Sequence, residues 1–201
     1  MYTNFIFDMG NVLMDFSPDY ILSRFSDDVV VIELLKKAIF KGDWWWRLDN
    51  GDVSFEEALV GVSNDVPEVY HEVLGRFFES WHLHKVPRLD MLEIVRDLKG
   101  RGYGIFLCSN AAARFHSYKD TYEVFSYFDD LVISADIGVS KPDPRIYQVV
   151  LDRNNLSASS CLFIDDLAVN IAGGEAVGIA GYQYNGNAAL LRSFLETLKI
   201  L

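Results

Sequence analysis

Phe5, Ile6 and Phe7 form an apolar, strand-forming run that ends abruptly at the carboxylate of Asp8, and this feature constrains the fold most. In a parallel α/β sheet, ligands bind at the carboxyl ends of strands, so Asp8 stands where chemistry usually takes place. A buried strand that merely ends in a capping aspartate is also common. Three later stretches with complementary polar residues favour the first interpretation.

Each of these stretches places polar side chains at or after an apolar run; they contain Ser109 and Asn110, Lys141, and Asp165 and Asp166. If the strands are neighbours, the groups converge at one edge of the sheet. Three carboxylates in a small volume repel one another unless a cation binds them, and oxygen-only ligands favour Mg²⁺. The hydroxyl, amide and ammonium groups suit an oxyanion such as phosphate. Together they indicate a phosphoryl-transfer site.

From residue 87 onward, strand-like and helix-like segments alternate. Strands are predicted over 103–108, 131–134, 161–164 and 179–182, and helices over 89–98, 111–122, 143–154, 167–177 and 187–199. With the first strand, this alternation predicts a doubly wound α/β fold whose parallel sheet is covered by helices on both faces.

Residues 17–86 carry helical signals and no strand pattern. Ser54 and Glu57 have the spacing of a capping box, and an apolar stripe from Val69 to Trp81 indicates a further helix. A crossover between parallel strands needs only about a dozen residues, so this segment is far longer than one connection requires. We therefore expect a core of residues 1–16 and 87–201 with an inserted helical cap of residues 17–86.

The net charge of −11 over 201 residues argues against nucleic acid and against anionic membrane surfaces as partners. A small anionic substrate remains compatible if a divalent cation concentrates positive charge locally. From the residue pattern we expect neither a signal peptide nor a membrane-spanning helix. Cys108 and Cys161 lie within apolar runs, where reduced core thiols of a cytoplasmic protein are the better interpretation, although a disulfide is conceivable.

Asp8-Met9-Gly10-Asn11-Val12, Ser109-Asn110, Lys141-Pro142 and Asp165-Asp166 with Asn170 resemble, in order and spacing, the four motifs of the haloacid dehalogenase-like hydrolase superfamily. The cap is similar to the small α-helical cap of its first subfamily. The first motif resembles the branch that includes an α-D-glucose-1-phosphate phosphatase. The resemblance implies a Rossmann-like core with strand order 5-4-1-2-3 and hydrolysis through an aspartyl-phosphate.

The same resemblance implies roles for individual residues. Asp8 is the expected nucleophile, and Lys141 neutralises both the phosphate and the crowded carboxylates. Mg²⁺ is expected to bind Asp8, the Gly10 carbonyl, Asp165 and Asp166, with Asp166 the more direct ligand of the acidic pair. Ser109, Asn110 and the backbone around Asn11 are expected to bind phosphoryl oxygens.

Gly10 departs from the family pattern, because most phosphatases of this family carry an aspartate there as general acid and base. Loss of that group typically costs about 10²–10⁴-fold in rate. The enzyme is then slow, or another group substitutes, or the protein binds phosphorylated ligands without turnover. Asp15 is the candidate substitute, with a solvated or capping residue as the alternative. Phosphotransfer to a second sugar ranks last, since the related mutases use the missing aspartate.

The cap contains three consecutive tryptophans followed by Arg47. Successive helical residues turn by about 100°, so the three rings cannot share one face. Trp44 is a candidate for stacking on a sugar and Arg47 for contacting a phosphate or hydroxyl. Core packing for Trp44, and pairing of Arg47 with Asp43 or Asp49, are the alternatives. The sequence thus predicts a cytoplasmic Mg²⁺-dependent phosphatase that acts on a small phosphorylated metabolite, with a sugar phosphate as the favoured substrate. It does not predict the oligomeric state.

Overall fold

A sheet of five parallel strands forms the centre of the computed structural model, which describes all of residues 1–201. The strands of the chain are β1 (Asn4–Phe7), β2 (Met14–Asp15), β3 (Val86–Pro87), β4 (Gly104–Ser109), β5 (Asp130–Ile133), β6 (Cys161–Asp165) and β7 (Ala180–Gln183). The central sheet has the order β5–β4–β1–β6–β7. Numbered among the parallel strands alone, this is the predicted order 5-4-1-2-3. The predicted fold class is confirmed.

Eleven α-helices surround the sheet or extend from it. They are α1 (Pro18–Leu22), α2 (Val29–Phe40), α3 (Asp43–Asn50), α4 (Phe55–Ser63), α5 (His71–Ser80), α6 (Leu89–Gly100), α7 (Phe115–Tyr118), α8 (Ser134–Ile137), α9 (Pro144–Asn154), α10 (Ala168–Glu175) and α11 (Ala188–Thr197). Side chains of β1 alternate between the two faces of the sheet. Phe5 and Phe7 pack with α6 and α11, whereas Ile6 packs with α9 and α10 on the opposite face.

Helices α1–α5 enclose an apolar cluster of their own. Its fifteen buried residues all come from residues 21–81, except for Ala112 of the core. Phe77 and Trp81 lie at its centre, surrounded by other aromatic rings. We keep the division into a core (residues 1–16 and 87–201) and a cap (residues 17–86) as a proposal. None of the helices is both long and apolar enough to cross a membrane.

The two chain crossings between core and cap pair with each other, which sequence patterns did not predict. Met14 pairs with Pro87 and Asp15 with Val86 in an antiparallel ladder formed by β2 and β3. The expectation that residues 17–86 contain no strand is therefore wrong at Val86, and the strand at Met14 and Asp15 was not predicted. Two-residue strands are too short to produce a recognisable alternation.

Two predicted helices are shorter than expected. The segment predicted over 111–122 is α-helical only in α7, and the Ala111 amide instead donates to the Ser134 hydroxyl at 2.9 Å. The stripe that begins at Val69 becomes α-helical only at His71, and Val69 is exposed. At Ala111 a contact with a distant residue determines the backbone conformation. At Val69 no burial of the side chain favours a helix.

Candidate active site

Asp8 follows the central strand β1, and the ammonium of Lys141 joins it to Asp165. Lys141 Nζ lies 2.7 Å from Asp8 Oδ1 and 2.7 Å from Asp165 Oδ2. Burial raises the pKa of Asp8 to about 6, with Lys141 opposing and Asp165 reinforcing the shift. Burial alone would lower the pKa of Lys141, but the two carboxylates outweigh it and raise that pKa above its usual range. The lysine thus holds two buried carboxylates together.

The two acidic residues after β6 have different surroundings. Asp165 is fully buried; its Oδ1 accepts the Leu167 amide at 2.8 Å, and Asn170 Nδ2 lies 3.1 Å from each of its oxygens. Asp166 lines the main cavity and has one side-chain partner, the Asn11 amide at 3.1 Å from Oδ2. Asp165 therefore binds the Lys141 ammonium away from the cavity, whereas Asp166 keeps an oxygen available to a ligand.

Three carboxylates form a group with the composition of a hard-cation site. One oxygen from each of Asp8, Asp165 and Asp166 lies within 4.8 Å of the others. The Gly10 carbonyl, also at the cavity, accepts no backbone hydrogen bond. Oxygen donors of this kind fit Mg²⁺, which is commonly held by one or two carboxylates with the remaining positions left to water and phosphate.

The amides of Asn110 and Asn11 are engaged with protein groups. Asn110 donates to the Lys141 carbonyl at 2.9 Å and accepts from the Lys141 amide at 2.7 Å. Asn11 accepts the Phe16 amide at 3.1 Å, and its own backbone amide donates to Met14 at 2.7 Å. Both residues line the cavity but hold neighbouring groups in place. Each side-chain amide donates one of its two hydrogens to a protein group, and phosphate binding by Asn110 and by the backbone around Asn11 stays a prediction.

Ser109 ends β4 and is almost completely buried. It does not line the cavity, whereas the adjacent Asn110 does. The structure therefore places Ser109 next to a cavity-lining residue, and its contact with a phosphoryl oxygen stays a prediction.

Asp15 does not reach the cavity. In β2 the side chain of Met14 is buried and that of Asp15 points outward, where it is 55% exposed and pairs with Arg88 at 3.3 Å. Because residues alternate along a strand, the burial of Met14 directs Asp15 away from the site. The suggestion that Asp15 replaces the missing acid is corrected by this placement.

Trp44 and Arg47 also lie away from the main cavity. The Arg47 guanidinium sits 4.5 Å from the centre of the Trp44 ring, and both line a separate surface depression on the cap. The ring of Trp44 occupies the space beside Gly61, where a Cβ atom would come within 2.1 Å of it. Trp45 reaches the main cavity instead. Of the three consecutive tryptophans, Trp45 rather than Trp44 therefore lines the main cavity.

The main cavity encloses about 220 Å³ above Asp8. Aromatic residues from both core and cap line it, namely Phe16, Trp45, Trp81, Phe115 and Tyr118. Asp49 at the end of α3 and Lys85 next to β3 are the charged groups contributed by the cap. A small molecule bound at Asp8 would therefore contact aromatic rings and the two charged groups of the cap, Asp49 and Lys85.

Lys85 is only 7% exposed, and no carboxylate oxygen lies within 4.0 Å of its ammonium group. Its Nζ lies 5.0 Å from the ring centre of Trp81 and 5.6 Å from those of Phe16 and Tyr118. Burial lowers the pKa of Lys85 to about 8, while the negative charges of Asp49 and Asp8 act in the opposite direction.

Asp49 has the opposite shift, since burial raises its pKa to about 7. The Lys85 ammonium opposes this most, followed by the Ala112 amide and the Trp45 side chain. Neither Asp49 nor Lys85 was predicted as a site residue. The one available signal is that Asp49 follows Trp45 by four residues, which puts both on one face of a helix.

Comparison with known proteins agrees with this geometry. The family model described as haloacid dehalogenase-like hydrolase matches residues 2–178. The chain belongs to this family. The predicted family membership and the prediction of a phosphatase-type hydrolase are thereby confirmed.

Similar proteins carry several activities. The chain is 26% identical to a sesquiterpene phosphatase of Aspergillus oryzae over 92% of its own length and 90% of that protein. It is also 26% identical to a D-ribitol-5-phosphate phosphatase of Bacteroides thetaiotaomicron over 94% of each chain. A family enzyme of B. thetaiotaomicron, crystallised with magnesium and inorganic phosphate, superposes with a TM-score of 0.73 at 21% identity, over 93% of this chain and 96% of that one. At that identity the last similarity shows the fold alone.

Proposed function

We propose that this protein is a Mg²⁺-dependent phosphatase that hydrolyses a small phosphorylated metabolite through an aspartyl-phosphate on Asp8. The observation that carries the proposal is the buried cluster in which Lys141 bridges Asp8 and Asp165, next to a cavity lined by aromatic rings. A carboxylate is a nucleophile only when ionised, and the ammonium favours that form. Lys141 contacts Asp8 Oδ1, which leaves Oδ2 for attack on phosphorus.

Asp8, Asp166 and the Gly10 carbonyl would hold the metal, with Asp165 behind them. When bound, Mg²⁺ would neutralise charge on the phosphoryl oxygens and on the carboxylates. Asn110 fixes the backbone of Lys141, and Asn11 orients Asp166, so these two residues act by holding the charged groups in place. The protein thereby supplies a preorganised site for a phosphoryl group.

The substrate we propose is a sugar or polyol phosphate. The relative that acts on D-ribitol 5-phosphate supports this choice, since it aligns with 94% of this chain. In the cavity, Trp45 offers an aromatic face for stacking and Lys85 a cation for hydroxyl or anionic groups. The two free, buried thiols suit a reducing compartment, and we propose the cytoplasm.

The test is phosphate release from a panel of hexose, pentose and polyol phosphates and p-nitrophenyl phosphate, with Mg²⁺ and with chelator. We expect Mg²⁺-dependent release from p-nitrophenyl phosphate and from a small subset of the sugars. The Asp8→Asn variant serves as the control and is expected to be inactive with all of them.

A second candidate is a non-catalytic module that binds phosphorylated ligands, and the absence of a side chain at Gly10 favours it. It predicts binding of Mg²⁺ and phosphate by calorimetry without phosphate release from any member of the panel. That result, with a folded protein, would refute the phosphatase.

A further inference from the structure

Hydrolysis of a phosphate monoester requires a proton for the leaving oxygen when the P–O bond breaks. Gly10 provides no group for this purpose. A Cβ atom at residue 10 would have only Asp8 Oδ2 within 4 Å, at 3.9 Å, so no side chain from elsewhere in the chain fills the position that the missing one leaves. If the protein is a phosphatase, another group at the cavity must supply the proton.

Six ionisable residues line the cavity: Asp8, Asp49, Lys85, Tyr118, Lys141 and Asp166. Asp8 and Lys141 are paired with each other, and Asp166 belongs to the carboxylate group that fits a cation. Burial raises the pKa of the Tyr118 phenol far above its usual value, so it is a poor proton donor. Asp49 and Lys85 remain, and neither has a salt-bridge partner within 4.0 Å.

The end of α3 that carries Asp49 is fastened to the core at three points. The Ser134 hydroxyl donates to the Asp49 carbonyl, and the Ser140 hydroxyl donates to Asn50 Oδ1 at 2.8 Å. Gly51 has φ of 78°, and a Cβ atom there would lie 2.4 Å from the Ala135 carbonyl oxygen. These contacts fix the backbone that carries the Asp49 side chain relative to the core.

We propose that Asp49 is the general acid and base of this enzyme, supplied by the cap in place of a side chain at Gly10. The proposal rests on the proposed phosphatase function. In the first step an Asp8 oxygen bonds to phosphorus, the bond to the leaving oxygen breaks, and that oxygen takes the proton of Asp49. In the second step Asp49 takes a proton from the attacking water, the water oxygen bonds to phosphorus, and the bond between phosphorus and the Asp8 oxygen breaks, which releases inorganic phosphate and the Asp8 carboxylate.

The charged and titratable groups around Asp49 agree with this role. Lys85 faces it from the β3 side, Asp8 from the floor and Tyr118 from α7. With a pKa of about 7, the carboxyl is partly protonated at neutral pH and can both give and take a proton. Lys85 stabilises the carboxylate formed after the first step.

Two aryl phosphates of the same shape separate proton donation from other roles of Asp49. The p-nitrophenolate ion leaves without a proton, whereas the more basic phenolate needs one. In rapid-mixing experiments, Asp49→Asn is expected to release a burst of p-nitrophenol at a rate near that of the wild type. Its release of phenol from phenyl phosphate is expected to fall by about 10²-fold or more.

Asp43→Asn, on the exposed first turn of the same helix, is the matched control and is expected to behave as the wild type with both esters. The wild type provides a second measurement that needs no variant: single-turnover release of phenol should decline above about pH 7, and release of p-nitrophenol should not. Equal loss with both esters, no loss with either, or identical pH profiles would overturn the role of Asp49. A wild type that releases phosphate from neither ester would overturn the phosphatase itself, and the proposal with it.

Discussion

Lys141→Met removes the charge at the centre of the buried ion pair and keeps a side chain of similar length. The lysine side chain is 1% exposed, and those of its partners Asp8 and Asp165 are 11% and 0% exposed. The variant leaves two carboxylates facing each other without a counterion. Removing one partner of a buried pair typically costs about 3–5 kcal/mol of unfolding free energy.

The loss of unfolding free energy in Lys141→Met should depend on pH, and the pKa of Asp8 determines whether it grows or shrinks as the pH rises. The pKa of Asp8 is raised from 3.8 to about 6 with Lys141 present, which costs the metal-free fold about 3 kcal/mol at neutral pH. Without the opposing ammonium this pKa climbs further. When the pKa of a carboxyl group is higher in the folded than in the unfolded protein, its contribution to stability is fully present below the unfolded-state pKa. This contribution is lost as the pH rises through the folded-state pKa. The deficit of the variant should therefore grow between about pH 5 and pH 7.5.

Urea unfolding with chelator at the two pH values measures this deficit. Lys36→Met is the matched control, because Lys36 also bridges two acids, Asp19 and Glu33, but on the surface, where the acids are more than 60% exposed. Exposed pairs contribute little, so this variant should barely change stability at either pH. The reasoning is refuted if the two variants lose similar amounts, or if the loss in Lys141→Met is the same at both pH values.

Further variants test other parts of the site. Trp45→Ala should raise KM for phenyl phosphate by up to about tenfold through loss of stacking, whereas Trp44→Ala should leave it unchanged; steady-state kinetics decide this. A Cβ atom at residue 10 makes no close contact, so Gly10→Asp, combined with Asp49→Asn, should restore release of phenol; failure to restore it in a folded, metal-binding protein contradicts the proton-donor role. Gly61→Ala forces a methyl group into the ring of Trp44 and should lower stability by about 1–3 kcal/mol in thermal melts, and an unchanged Tm would contradict the packing.

The parts of the site that follow strands could be predicted from sequence, because both their position and their chemistry are local. Asp8, Lys141 and Asp166 lie at the cavity, where the order of the parallel strands brings them together. The strand order itself followed from a resemblance and is confirmed. Asn110 lines the cavity as well, but its hydrogen-bond partner, the backbone of Lys141, lies 31 residues away and could not be inferred.

The cap contribution depends on packing between distant segments. Asp49 reaches the cavity because α3 is fastened to Ser134, which lies 85 residues further along the chain. Lys85 is enclosed by rings from three different segments of the chain. Helical periodicity cannot distinguish Trp44 from Trp45 as the residue that faces the core. The acid and base of the cap therefore became visible only in the folded structure.

The central claim is that Asp8 carries the phosphoryl group. Rapid quenching of the wild type with p-nitrophenyl phosphate and Mg²⁺, followed by mass spectrometry of intact protein and peptides, tests it directly. We predict a transient mass increase of one phosphoryl group on the peptide that contains Asp8, absent from Asp8→Asn. Phosphate release by Asp8→Asn at the wild-type rate, or a phosphoryl group on a different residue, would contradict the claim.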